Sequence, residues 1–261
     1  MLLHGLSQQA DFWNPTIKAL GGSDSDEFDF IVIDQRGHGA SQGFTSDHDL
    51  SIFALSTDVE TVMNHADIPN ALLVGHSMGA MVAAQSAYQF PERIRGLALI
   101  DGGMRTPTDN FPDSLPSREE LIERLTPPDG PFSENVLREY YGNLDSARIE
   151  EIMAAVSRTY TPCEQGGYTS TLGMARNMQL IDSILDYESV QMLDSLSIPT
   201  WAVLCQNLDR RASEASRPWD HFANQAHIHL QHWYGYAHDV PLQSPTMIAS
   251  LVRLIARVCI D

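Results

Sequence analysis

The fold is decided by the stretch Ala71-Leu-Leu-Val-Gly-His-Ser-Met-Gly79, an apolar run that stops in Gly75-x-Ser77-x-Gly79 and is followed at once by a helix-like segment. The pattern predicts a sharp turn from strand to helix with the serine at its tip. The backbone of that serine is strained, and its side chain needs glycine two positions before and two positions after. We therefore expect the Ser77 hydroxyl to project beyond the sheet edge, near the next backbone N–H and the helix N-terminus.

The rest of the chain predicts a parallel α/β sheet around this turn. The G-x-S-x-G pattern is weak by itself, since glycine and serine are common, and an ordinary turn to a surface helix is the alternative. Apolar strand-like runs nevertheless alternate with helical patterns. The predicted strands are 30–34, 71–75, 97–101, 200–205 and 228–233, and the predicted helices between them are 52–66, 78–90 and 246–260. Such alternation is typical of a parallel sheet covered on both faces, with its chemistry beyond the carboxyl ends of the strands.

The alternation breaks in the middle of the chain. Helical patterns occur at 118–125, 134–141 and 146–158, and we identify no clear strand there. We therefore predict a core domain at 1–102 and 197–261 with a helical cap inserted at 103–196. Aromatic and methionine side chains of the cap either line an apolar pocket or form ordinary helical core, namely Tyr140, Tyr141, Met153, Tyr160, Tyr168, Met174 and Met178.

Composition argues against several classes of protein. With 261 residues, 43% of them hydrophobic, the chain has enough apolar residues to bury a large core. Its formal net charge of -18 argues against a nucleic-acid or membrane partner, because both attract basic surfaces. The three cysteines are far apart and match neither a disulfide framework nor a zinc motif. Without a signal peptide or a transmembrane run in this sequence, we expect a cytoplasmic protein.

Four segments resemble the α/β-hydrolase superfamily, and the likeness extends over nearly the whole chain. Leu3-His4-Gly5-Leu6 is similar to the His-Gly loop that follows the third strand of that family. Asp34-Gln-Arg-Gly-His-Gly-Ala-Ser41 is similar to the turn after its fourth strand. Gly75-His-Ser-Met-Gly79 matches the nucleophile elbow, and Tyr236-Ala-His-Asp-Val240 matches the late segment that carries the catalytic histidine. Their order along the chain makes the combination specific.

The resemblance implies a catalytic triad. A serine nucleophile needs a base to accept its proton and a carboxylate to orient that base, and the family order is Ser, acid, His. Ser77, Asp209 and His238 fit this order, with Asp209 in the loop after the strand at 200–205. Asp101, directly after an earlier strand, is the rival acid, and Asp239 is disfavoured because it points in another direction.

The resemblance also implies an oxyanion hole made by the backbone N–H groups of Leu6 and Met78, with His4 and His76 as structural neighbours. A metal site is the alternative interpretation of the other histidines. His227, His229 and His232 lie close together, but no carboxylate pattern accompanies them. We therefore predict neither a metal nor an organic cofactor.

The beginning of the chain departs from the family pattern. Relatives usually carry two strands before the His-Gly loop, whereas this chain opens within the third strand, which is only a stub. The fourth strand is then expected to form an edge of the sheet. Either an upstream segment is missing from this sequence, or another subunit or loop covers that edge, so a homo-oligomer is one of the expectations.

The residues and the resemblance together predict a serine hydrolase that cleaves a carboxylic ester or a related acyl substrate through an acyl-serine. The same triad also serves carbon–carbon bond hydrolases, lactonases, thioesterases and cofactor-free haloperoxidases, and the fold does not separate them. A non-catalytic receptor for a small molecule is the alternative outside the enzyme class.

Overall fold

A six-stranded parallel sheet forms the centre of the protein in a computed structural model that describes residues 1–41, 43, 49–104, 117–126, 130–206, 222 and 224–260. Its strands are β1 (Leu2–Leu3), β2 (Val32–Ile33), β3 (Ala71–His76), β4 (Ile94–Ile100), β7 (Thr200–Gln206) and β8 (Ile228–Tyr234). They are arranged in the order β2-β1-β3-β4-β7-β8, and each neighbouring pair is parallel. The prediction of an α/β fold with a parallel sheet is confirmed.

Helices cover both faces of this sheet. The core helices are α1 (Asn14–Ala19), α2 (Ile52–His65), α3 (Met78–Gln89), α9 (Val240–Gln243) and α10 (Pro245–Ile260). Successive strand residues point to opposite faces: Leu73 packs in the cluster that includes α2 and α3, and Val74 packs in the cluster that includes α10. Both faces are therefore buried, which explains the nearly continuous apolar strands. None of the helices in the described residues has the length and apolarity needed to cross a bilayer.

The described part of the predicted insertion contains five helices and, contrary to expectation, a small sheet. The helices are α4 (Arg118–Leu125), α5 (Glu134–Gly142), α6 (Ile149–Val156), α7 (Met174–Leu185) and α8 (Ser189–Ser195). An antiparallel hairpin joins β5 (Tyr160–Pro162) to β6 (Tyr168–Ser170). Each strand has only three residues, too few to produce a periodic pattern in the sequence. The boundaries of the cap stay a prediction.

Ion pairs and hydrogen bonds join the inserted segment to the core. The guanidinium of Arg158 donates to the carboxylate of Asp11 at 2.6 Å and to that of Asp34 at 3.0 Å. Gln9 Nε2 donates to the backbone carbonyl of Ala155 at 2.8 Å. Burial raises the pKa of Asp34, but hydrogen bonds from Ala40, Ala10 and Arg158 outweigh it and hold that pKa below its usual range. These contacts hold α6 and the hairpin against the loops that follow β1 and β2.

The first strand is short and lies inside the sheet. Leu2 and Leu3 pair with β2 on one side and with β3 on the other. The Met1 amino group donates to the carbonyl of Leu72 at 2.7 Å. β2 is the edge strand of the described sheet, as the sequence predicted. The two residues of β2 pair with the two residues of β1, so the short β1 limits the length of β2.

Candidate active site

Ser77 occupies a strained turn between β3 and α3. Its backbone has φ of 54° and ψ of -119°, a conformation that residues other than glycine rarely adopt. A Cβ at Gly75 would overlap the carbonyl of Gly79, and a Cβ at Gly79 would overlap the carbonyl of Leu3. Glycine is therefore required at both positions, because α3 starts directly against β3 and β1. The turn has the form that the sequence predicted.

Three polar side chains make a continuous chain of hydrogen bonds at this turn. The Ser77 hydroxyl lies 3.0 Å from Nε2 of His238, and Nδ1 of the same ring lies 2.6 Å from Oδ2 of Asp101. Asp101 directly follows β4, and its Oδ1 accepts the Cys205 N–H at 2.9 Å. A carboxylate accepts only, so Nδ1 carries the proton and Nε2 is left to accept from the serine.

A carboxylate that lies beside His238 in the described residues is that of Asp101, the rival acid. Asp209, which the sequence favoured as the acid, lies outside the described residues. The Nδ1 position of His238 binds a single proton, and in this structure that proton is directed to Asp101. We therefore propose Asp101 as the acid that orients His238. The sequence did not separate Asp101 from Asp209 because β4 and β7 are neighbours, with their carboxyl ends at the same edge of the sheet.

Burial differs sharply within this group of three residues. The Asp101 side chain is only 3% exposed, whereas the His238 side chain is 54% exposed. A buried carboxylate holds the inner nitrogen of the ring, and the outer nitrogen reaches the serine at the surface of a cavity. The arrangement is suited to a histidine that accepts a proton from Ser77 and remains accessible to substrate and water.

His76 and Gln8 support the loop that faces Ser77. His76 Nε2 donates to the carbonyl of His238 at 2.8 Å. Gln8 Oε1 accepts the Gly5 N–H at 3.0 Å, and Gln8 Nε2 donates to Oδ1 of Asp239 at 2.8 Å. One glutamine therefore fixes the His-Gly loop relative to the segment that carries His238. Gln8 was not identified from the sequence, because a lone glutamine in a loop matches no motif.

His4 holds the other side of the same loop. Its Nδ1 donates to the carbonyl of Gly5 at 2.8 Å, and its Nε2 accepts the Gln35 N–H at 3.1 Å. The side chain of Gln35 donates in turn to the His4 carbonyl at 2.6 Å. These contacts agree with the prediction that His4 supports the loop structurally.

Of the two backbone donors predicted for the oxyanion hole, Met78 directly follows Ser77 and Leu6 lines the same cavity as Ser77. Met78 is the first residue of α3, so its N–H has no acceptor within the helix. Leu6 follows Gly5 and lies in the wall of the cavity that contains Ser77. In the part of the chain that the structure describes, the Leu6 N–H donates to no protein acceptor. Their part in binding an oxyanion stays a prediction.

A cavity of about 640 Å³ opens above Ser77. The inserted segment supplies much of its wall, with three of the aromatic residues that the sequence proposed, Tyr140, Tyr141 and Tyr160. Phe132 and Asp239 also line it, and the sequence had not identified Phe132 and had set Asp239 aside. The cavity has the volume of a site for a small organic molecule.

The three histidines at and just before β8 contact other groups. His229 stacks on Trp201 with ring centroids 4.6 Å apart, and His232 Nδ1 lies 3.0 Å from Nε2 of Gln206. His227 Nε2 lies 3.4 Å from the carbonyl of Leu193. Within the described ranges, no three His, Cys, Asp or Glu side chains are close enough together to hold a metal ion.

Three buried histidines predict that the protein loses stability in acid. Burial lowers the pKa of His4 and of His76 to about 3 each and that of His38 to about 4. An unfolded histidine has a pKa of about 6.5, so below that pH the unfolded chain binds protons that the folded chain does not. The free energy of unfolding should therefore fall by about 1.4 kcal/mol per pH unit for each ring. Urea unfolding between pH 7 and pH 5 measures the slope.

Two variants separate the buried rings from other acid-sensitive groups. His38→Gln should reduce the slope of the free energy of unfolding against pH by about 1.4 kcal/mol per pH unit. One buried ring then no longer takes up a proton on unfolding. Replacing the exposed Asn143 with glutamine, which exchanges one neutral amide for another, should leave the slope unchanged. A free energy of unfolding that stays constant between pH 7 and pH 5 would contradict the neutral state of these rings.

Comparison with known proteins agrees with the fold. A model of the alpha/beta hydrolase fold family matches residues 1–160. Epoxide hydrolase B of Mycobacterium tuberculosis is 28% identical over 204 residues, which are 74% of this chain and 53% of that protein. Some other curated relatives are matched over 37% of their length, so the chain spans about half or less of the curated relatives it matches.

Solved structures show the same fold over nearly the whole chain. E-2-(acetamidomethylene)succinate hydrolase superimposes with a TM-score of 0.74 at 20% identity, covering 98% of this chain and 90% of that one. A thermophilic esterase from Thermogutta terrifontis gives a TM-score of 0.64 at 22% identity, with coverage of 99% and 89%. The family match, the parallel sheet and the strained serine turn lead to one conclusion: the chain belongs to the α/β-hydrolase family.

Proposed function

We propose that this protein is a serine hydrolase that cleaves a carboxylic ester or a related acyl compound through an acyl-serine. The observation that carries the proposal is the hydrogen-bonded chain from Asp101 through His238 to Ser77, with 2.6 Å and 3.0 Å between successive polar atoms. The hydrolase names of relatives and structural neighbours, an epoxide hydrolase and an esterase among them, support hydrolysis in general.

In the first half of the proposed reaction, the Ser77 Oγ attacks the carbonyl carbon of the substrate and its proton moves to Nε2 of His238. The Asp101 carboxylate stabilises the imidazolium that forms. The carbonyl π electrons move to the oxygen, which then bears a negative charge near the N–H groups of Leu6 and Met78. When the tetrahedral intermediate collapses, the bond to the alcohol breaks and Nε2 returns the proton to the leaving oxygen.

In the second half, His238 acts on water. Nε2 accepts a proton from a water molecule as its oxygen attacks the carbonyl carbon of the acyl-serine. The bond from that carbon to Ser77 Oγ then breaks, and Oγ recovers a proton from Nε2. The carboxylic acid leaves and the resting enzyme is restored. No step of this scheme calls for a metal or an organic cofactor.

Labelling with a fluorophosphonate tests the proposed nucleophile. Such a reagent loses fluoride to an activated serine and leaves a stable phosphonyl group on its oxygen. We expect one phosphonyl group per chain, and peptide mass spectrometry should locate it on Ser77. Thermally unfolded protein is the control and should not react, because the activation depends on His238 lying beside Ser77. A folded protein that stays unlabelled, or that carries the label elsewhere, would contradict the proposal.

A further inference from the structure

Asp239 places a carboxylate in the wall of the cavity above Ser77. The residue is only 8% exposed, and its backbone carbonyl accepts the N–H groups of Leu242 and Gln243 at 2.9 and 3.1 Å, which fixes it at the start of α9. Its Oδ1 accepts from Gln8. Among the described residues, no second side chain donates to this carboxylate and no cationic side chain pairs with it. Its Oδ2 accepts no hydrogen bond from the described residues.

Aromatic side chains of the inserted segment face the same space. Tyr140 and Tyr141 meet edge to face with ring centroids 4.9 Å apart, and the hydroxyls of Tyr141 and Tyr160 lie 2.9 Å apart. Partial burial and then the charge of Asp239 raise the pKa of Tyr140 to about 12, so this hydroxyl stays neutral. Burial also raises the pKa of Tyr141 and of Tyr160, again with a contribution from Asp239. The carboxylate and the three rings thus line one cavity.

The described wall of the cavity contains no lysine or arginine. A carboxylate removed from water is costly unless an opposite charge or several donors compensate it, and Gln8 supplies one neutral donor. Burial accordingly raises the pKa of Asp239. Aromatic faces also attract cations, and most strongly where water is excluded. The negative charge of the carboxylate and the faces of the rings attract a positively charged group and repel an anionic one.

We infer that the cavity recognises an ester that carries an ammonium group, which Asp239 and the rings of Tyr140, Tyr141 and Tyr160 bind while Ser77 attacks the carbonyl carbon. This inference rests on the proposed function, since it names the substrate class of the same site. Because Asp239 and Ser77 line one cavity of about 640 Å³, the ammonium group and the carbonyl must belong to one small molecule.

Isosteric esters test the inference. In each pair of esters, a charged nitrogen in one compound is replaced by a carbon in the other. The first pair is acetylcholine and 3,3-dimethylbutyl acetate. The second pair is ethyl 4-(trimethylammonio)butanoate and ethyl 5,5-dimethylhexanoate. In at least one pair, kcat/KM should be about tenfold higher for the cation. Asp239→Asn should bring that ratio close to one. The ratio is the readout because any disturbance of the neighbouring His238 affects both esters of a pair.

Two further variants make the test specific. Glu139→Gln removes the same charge from the exposed side of α5 and should leave the ratio unchanged. Tyr140→Leu removes a ring that is 58% exposed, so the fold should tolerate it, and it should lower the ratio about threefold. It serves as the test if Asp239→Asn does not fold. Equal rates within both pairs for the wild type, or an unchanged ratio in Asp239→Asn, would overturn the inference.

Binding without turnover separates this inference from the proposed function. In the Ser77→Ala variant, calorimetry should show choline binding about tenfold more tightly than 3,3-dimethylbutanol, and Asp239→Asn in that background should abolish the difference. Hydrolysis of uncharged esters with no preference for choline would sink the inference and leave the proposed function standing. Choline binding without hydrolysis of any ester would overturn the proposed function, and only the cation-binding part of the inference would stand.

Discussion

The Ser77→Ala variant should lose hydrolysis of 4-nitrophenyl esters almost completely, with kcat reduced about a millionfold. The methyl group has no oxygen to attack the carbonyl, so neither the acyl-serine nor its breakdown can occur. Any remaining rate would come from direct attack of water beside the oxyanion donors. Initial rates of 4-nitrophenolate release, compared at saturating ester and equal protein concentration, measure the loss.

A second serine on the same helix supplies the matched control. Ser86 is fully buried in α3, where its hydroxyl donates to the carbonyl of Val82 at 2.8 Å and to no group near the cavity. Ser86→Ala should change kcat less than twofold. Far-UV circular dichroism should show that both variants fold. If Ser77→Ala kept even a hundredth of the wild-type kcat, Ser77 would not be the nucleophile.

Features that depend on neighbours along the chain could be predicted from the sequence. The turn at Ser77 is one, because the glycines that it needs lie two residues away on either side and meet α3 and β1 directly. The helix over Ile52–His65 is another, since Ser51 caps it through the Ala54 N–H at 3.1 Å. In both places the residues that carry the pattern lie within a few positions of one another in the sequence.

Features that depend on partners distant in the chain could not be predicted fully from the sequence. The strand predicted at 30–34 pairs only over Val32–Ile33, because β1 offers two residues. The hairpin of β5 and β6 was missed because its strands are short and polar. Asp239 was set aside in the sequence. It lines the cavity and accepts a hydrogen bond from Gln8, a residue 231 positions away in the chain.

Asp101→Asn should lower kcat about ten-thousandfold while the fold is retained. The asparagine oxygen can still accept the Cys205 N–H, which Oδ1 of Asp101 accepts at 2.9 Å, so the end of β4 should keep its shape. The amide nitrogen, however, donates where the carboxylate accepted. It therefore favours the tautomer of His238 that has its proton on Nε2, and this tautomer cannot take the proton of Ser77. Steady-state hydrolysis of 4-nitrophenyl esters measures the loss.

Asp209→Asn is the control that separates the two candidate acids. It makes the same change of charge and shape at the position that the family order favoured. Because the proton on Nδ1 of His238 is directed to Asp101 at 2.6 Å, we expect Asp209→Asn to lower kcat by less than tenfold. If kcat fell several thousandfold in Asp209→Asn and stayed near the wild-type value in Asp101→Asn, Asp101 would not be the acid that supports His238 in the reaction.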